Sequence, residues 1–265
     1  MGFARKLYEA SAAEVWRAVR RRALGRHCAR ESVAPRRFEP VTRAFLLSAE
    51  YRRLMAEHLP QPGAYDRHEA QNETRSYSFR HAEASERLGV FRWRGIQEHL
   101  DEVLSLVDGE GALIDFGGGA CPVGFQTQVV DRLEQDGYER PVRFCDVEDV
   151  PGLLDGIFTS HTLEHVAELD AVLAAFARKL RPGGRLIAHL PAFSCVRWRA
   201  GEHAHALYHD HAWTFGLAGD EPEGGLKHYC DIELMVSRHL IVERAEYCGD
   251  DSIFLSARRA ESAAI

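Results

Sequence analysis

The sequence predicts an α/β fold, an open and mostly parallel sheet with helices on both faces. A C-terminal antiparallel hairpin closes it, and an N-terminal helical region precedes it. Three observations carry this expectation. From residue 110 onward, short apolar runs alternate with helix-period runs, the pattern of strands joined by crossover helices. The first of these runs, Ala112–Phe116, leads straight into three glycines. Near the end, two apolar runs flank Cys248, Gly249, Asp250 and Asp251, which reads as a hairpin turn.

The elements follow in order. Residues 12–24 and 39–58 read as helices, with Val15, Trp16 and Val19 on one stripe and Val41, Phe45, Leu46, Tyr51 and Leu54 on the other. Pro60, Pro62 and Gly63 mark a loop. Residues 92–107 are helical, with Ile96, Leu100, Val103 and Leu104 in register. Residues 112–116 form a strand, 124–135 a helix, 142–145 a short strand and 156–160 another strand. Residues 169–180 form a helix, and the turn at 181–184 launches a strand over 185–190. Residues 240–247 and 252–258 form the hairpin. Two parts result: a helical region at 1–90, accessory or lid, and a catalytic-type domain at 91–265 with an insertion near 192–232.

The totals exclude several classes. The chain has 265 residues, of which 45% are hydrophobic, enough for one sizeable core with an appendage. No run approaches the roughly 18 apolar residues that span a bilayer. The start carries charge without an apolar stretch, so a secretory signal is not expected. Six cysteines are scattered without a CxxC pair, which suits reduced thiols in a cytoplasm rather than a zinc knuckle. Residues 1–59 hold 13 Lys/Arg against 6 Asp/Glu, and residues 60–265 hold 20 against 34. The acidic body argues against a nucleic-acid partner. A homo-oligomer is compatible with the sequence.

Leu113, Ile114, Asp115, Phe116, Gly117, Gly118, Gly119 and Ala120 carry the strongest chemical signal. An acidic residue at a strand end, followed by glycines and a helix start, lets backbone N–H groups approach a ligand closely. In open α/β sheets ligands bind at the carboxyl ends of strands. This run resembles the first motif of the class I, Rossmann-like, S-adenosylmethionine-dependent methyltransferases. Three further stretches resemble that superfamily in the same order. They are Phe144–Pro151 (FCDVEDVP), Thr159–Val166 (TSHTLEHV) and Leu180–Leu186 (LRPGGRL). Together they cover roughly residues 110–190.

The resemblance implies S-adenosylmethionine as cofactor, held by Asp115, Phe116, Gly117, Gly118, Gly119, Asp146, Val147, Ser160 and His161. Asp115 would orient the methionyl amino end, Asp146 the ribose or the adenine, and Ser160 and His161 would line the methyl-transfer face. An arginine at Gly117 is expected to abolish binding and leave the fold intact. Two departures stand out. The interval from Asp115 to His161 is 46 residues, shorter than the superfamily's usual one. Cys121 and Pro122 also replace the small residues usual after the glycines.

Histidine is abundant, with 14 in the chain. His161 and His165 stand four apart, His189 ends a strand, and residues 201–215 read GEHAHALYHDHAWTF. Histidine is the side chain best matched to accept a proton near neutral pH. The candidate catalytic residues are His161, His209 and His211, with Tyr208 and Trp213 as walls of an acceptor pocket. An ordinary loop and a metal site at His203, His205, His209, Asp210 and His211 are the other readings. A divalent metal is allowed there but not expected. The N-terminal stretches Arg22–Arg26 and Arg43–Tyr51 resemble a small helical module of bacterial glycan metabolism. That resemblance tilts the acceptor toward a sugar, a glycan or a secondary metabolite, and the reaction toward O-methylation. The alternative is a methyltransferase fold kept as a scaffold or partner-binding subunit without catalysis.

Overall fold

The structure is a computed structural model. It describes residues 43–58, 89–118, 123, 127–131, 146–195, 199, 211–220, 226, 228–249 and 251–261. The helix expected over 12–24, the strand over 142–145 and the side chains of His203, His205, Tyr208, His209 and Asp210 lie outside them, as do Gly119 and Ala120.

A six-stranded sheet forms the centre, in the order β2-β1-β3-β4-β8-β7. Its strands are β1 (Leu113–Phe116), β2 (Gln128–Val130), β3 (Leu154–Ser160), β4 (Leu180–Pro191), β7 (Ile241–Cys248) and β8 (Ser252–Arg258). The first four run parallel, β8 runs antiparallel to β4, and β7 runs antiparallel to β8. The chain therefore forms the mostly parallel, Rossmann-like sheet with a terminal hairpin that the sequence predicts. Two short strands, β5 (Thr214–Gly216) and β6 (Tyr229–Asp231), pair in parallel outside it.

Side chains alternate along each strand and so build two cores. Ile114, Ile157, Leu186, Ala188, Ile253 and Leu255 point to one face, under helices α5 (Leu169–Lys179) and α6 (Ile232–Ser237). Leu173 and Phe176 from α5, and Ile232 and Val236 from α6, complete that core. Leu113, Phe158, Ile187 and Phe254 point to the opposite face. There they meet Ile96 of α3 (Arg94–Glu98) and Val103, Leu104 and Leu106 of α4 (Leu100–Val107). Each such buried side chain contributes about 1.5–3 kcal/mol by leaving water. Leu46 of α1 (Arg43–Leu46) and Tyr51 of α2 (Ala49–His58) join this second core. The Tyr51 hydroxyl donates to the Phe91 carbonyl at 2.8 Å.

The structure departs from the sequence-based elements at three places. A strand, Gln128–Val130, stands inside the span expected to be a helix at 124–135; a β-branched pair, Val129 and Val130, fits a buried pleat better than a helix. The run at 92–107 is two helices, broken at His99 (φ −118°, ψ 25°). His99 stacks on Phe254, with centroids 3.9 Å apart, which fixes the break against the sheet. Strand β4 begins at Leu180 rather than at 185, and the turn expected at 181–184 stands inside it as an irregularity: Gly183 takes φ +76°, and pairing with β3 slips between Leu154 and Gly156. No helix among the described residues is long and apolar enough to cross a membrane.

Candidate active site

The chain passes from β2 on one side of β1 to β3 on the other, so the switch point of the sheet lies at the carboxyl ends of β1 and β3. Asp115, Phe116, Gly117 and Gly118 stand at the end of β1. Ser160, His161 and Thr162 stand at the end of β3. Asp115 comes two residues after Leu113, Ser160 two after Phe158 and His189 two after Ile187. The period of two therefore puts all three polar side chains on the α3–α4 face.

Asp115 is buried and its Oδ2 accepts a hydrogen bond from the Val123 amide at 2.7 Å. This bond ties Val123 to the end of β1. Burial pushes its carboxyl up to about 7; the Val123 amide opposes the rise and the Asp131 charge adds to it. Gly117 adopts φ +79°, its N–H donates to Val130 O at 2.7 Å, and a Cβ there would run into the Thr162 side chain. Only glycine meets both the left-handed backbone and the close approach. The sequence-based expectation that Gly117→Arg leaves the fold intact is therefore corrected: an arginine at 117 strains the backbone and clashes with Thr162.

His161 also lies in the left-handed region, at φ +49°, uncommon for a residue with a side chain. Its N–H donates to His189 O at 2.9 Å, and its ring lies flat under Trp93 with centroids 4.4 Å apart. The His189 ring sits 5.0 Å from that of His161. The Ser160 hydroxyl meets His189 Nδ1 at 3.2 Å. Trp93, just ahead of α3, thus roofs the end of β3. The sequence alone puts Trp93 in a helix without a role, and an aromatic residue at a helix start is the signal that points to it. Tight packing carries the roof, because a Cβ at Gly95 would lie 2.5 Å from Cys248 Sγ and 2.7 Å from His189 Nε2.

The remaining expected residues separate. Asp146 is exposed, and its Oδ1 accepts from the Glu148 amide at 3.2 Å, capping the turn Val147–Asp149. The Val147 side chain is buried in the α5–α6 core. Phe116 meets Phe176 edge-on at 5.1 Å. His211 is buried edge-on against His165, at 4.4 Å between centroids. Glu164 is fully buried, 3.7 Å from His161 Nδ1 and 3.8 Å from His165 Nε2. The Trp213 indole N–H donates to Val166 O at 2.7 Å, so Trp213 braces the turn after β3.

In open α/β sheets the switch point, here with a glycine turn beside it, is where ligands bind at the strand ends. Residues 121–188 match the family described as methyltransferase domain. The matched residues hold Asp146, Ser160, His161 and Glu164. Over those residues this chain is similar to methyltransferase domains. A protein named "Methyltransferase" from Claviceps purpurea (strain 20.1) is 31% identical over 107 residues, which cover 37% of this chain and 31% of that protein. The chain thus spans about a third of the length of that relative. Among solved structures, an S-adenosylmethionine-dependent methyltransferase from Clostridium acetobutylicum aligns at a TM-score of 0.45 and 12% identity, covering 71% of this chain and all of that one. The N-methyltransferase NodS from Bradyrhizobium japonicum aligns at 0.39 and 15% identity, covering 62% of this chain and 96% of that one.

The site residues fit such a cofactor. Gly117 and Gly118 bring no side chain to the switch point, and the buried Asp115 carboxyl lies against Gly118, where a cationic amino group would favour its ionised form.

Proposed function

We propose that this chain is an S-adenosylmethionine-dependent methyltransferase acting on a hydroxyl of a sugar, a glycan or a secondary metabolite. The observation that carries the proposal is the placement of Ser160 and His161 across the switch point from the Asp115–Gly118 turn. When bound, the cofactor supplies an activated methyl group; the protein's task is alignment and exclusion of water. Gly117, Gly118 and Asp115 would hold its amino-acid end, and Asp146 its nucleoside end. His161 would take the proton from the attacking hydroxyl, its ring held flat under Trp93. The hydroxyl-directed reading is supported by this placed imidazole and by the resemblance of the N-terminal stretches to a glycan-metabolism module.

The test is transfer of label from methyl-tritiated cofactor to a panel of sugars, glycans, phenols and amines, with the product read by NMR. The proposal expects a new methoxy signal on a hydroxyl-bearing acceptor. Labelling of amines alone would overturn the hydroxyl assignment. Cofactor binding with no transfer to any acceptor class would favour a non-catalytic scaffold.

A further inference from the structure

Glu164, His165 and His211 bring one carboxylate oxygen and two imidazole nitrogens to within 4.8 Å of one another. Glu164 and His165 sit on the 3-10 turn Leu163–His165 after β3, and His211 begins the segment that enters β5. The two backbones are already fastened together. Ala212 and Trp213 both donate their N–H groups to Glu164 O, at 2.6 and 3.2 Å, and the Trp213 indole donates to Val166 O. Ligands on pinned backbones are the condition for a pre-organised metal site. Burial grades across the cluster: Glu164 and His211 are enclosed, and His165 opens to solvent.

We propose that Glu164, His165 and His211 bind a divalent transition metal, with Zn²⁺ the best-matched ion. Two imidazoles and a carboxylate suit zinc or its neighbours rather than magnesium or calcium, which prefer oxygen ligands throughout. Ligand bonds of about 2.0–2.2 Å put tetrahedral ligand atoms roughly 3.3 Å apart. Side-chain rotations that close the present spacing, at most 4.8 Å, by up to about 1.5 Å are enough. A dication also offsets the cost of enclosing the Glu164 carboxylate. Three protein ligands leave a fourth position, on the side that His165 opens to solvent. The ion would clamp the segment entering β5 onto the turn that carries His161. The sequence alone points to a metal within residues 203–211; His211 is the member of that stretch among the described residues, and it belongs to this site.

The proposal does not depend on methyl transfer, and its test reads the metal directly. Untagged full-length protein, stripped with a chelator, is titrated with Co²⁺ and followed by visible absorption, and Zn²⁺ is then added. The expected result is one equivalent of coloured complex that Zn²⁺ bleaches. His165→Ala and His211→Ala should each weaken binding by at least about a hundredfold, the upper end of what outer-sphere partners alone cost. A His203→Ala, His205→Ala, His209→Ala triple variant should bind as the parent does. The half-exposed His165 is the decisive position, because Glu164→Gln can fail by unfolding. Absence of the cobalt bands overturns the proposal. So does binding that survives both single variants, or binding that the triple variant loses.

Discussion

Trp93 lies flat on His161, with ring planes 13° apart and centroids 4.4 Å apart. The contact joins a residue ahead of α3 to the left-handed turn after β3. It fixes the ring that the proposed chemistry needs, at a site where the backbone alone would not hold it.

Trp93→Ala should therefore lower methyl transfer at least tenfold and cost about 3–5 kcal/mol of stability, the usual cost of truncating a buried Trp. Trp93→Phe should keep most of both, because a smaller ring still stacks. Paired urea unfolding and initial rates check this. Wild-type rates in a folded Trp93→Ala protein would remove His161 positioning from the account.

Gly117→Ala should destabilise the protein by more than the roughly 1 kcal/mol attached to a left-handed alanine, because the added methyl runs into Thr162. The double variant with Thr162→Gly should recover the steric share and leave the backbone share. Denaturant midpoints of the two single variants and the double variant measure the coupling. Simple additivity would show that the turn relaxes elsewhere.

Asp115 makes a pH prediction. Its carboxyl ordinarily titrates near 3.8 and is pushed up to about 7 in the folded chain. Between those values the folded protein keeps a proton that the unfolded chain releases. The contribution of Asp115 to stability is thus full below about pH 4 and is lost as pH rises through 7. Asp115→Asn keeps an acceptor for the Val123 amide and removes the titration. From pH 5 to pH 8 the melting temperature of the parent should fall relative to that of this variant. Parallel pH curves for the two proteins would contradict the burial argument.

Gly95→Ala should act at a distance. Its methyl would press on Cys248 and His189, and overpacking of this kind costs about 1–3 kcal/mol. The displaced α3 would carry Trp93 with it, so methyl transfer should drop as well. Cys248→Ala in the same chain should relieve part of both effects. An unchanged rate in Gly95→Ala would show that Trp93 is held from elsewhere.

Much of this was legible in the sequence, for physical reasons. Leu113–Phe116, Leu154–Ser160 and the terminal hairpin carry β-rich apolar runs with turn residues at their ends. Leu169–Lys179 has a strong helical stripe. The glycine turn and the Ser160–His161 pair announced the switch point. What stayed hidden depends on contacts distant in sequence. The break at His99 is set by Phe254. The strand at Gln128–Val130 is set by pairing with β1, which overrode a helix-like pattern. Trp93 became a site residue only when α3 packed over His189. Glu164 read as part of a motif, and only the fold brought His211 beside it.

The most direct test of the central claim is calorimetric titration of the full chain with S-adenosylhomocysteine, the demethylated cofactor, which needs no acceptor to report binding. The account predicts saturable binding of about one equivalent, weakened in Asp115→Asn. No heat and no saturation, in protein shown to be folded by its unfolding transition, would contradict it.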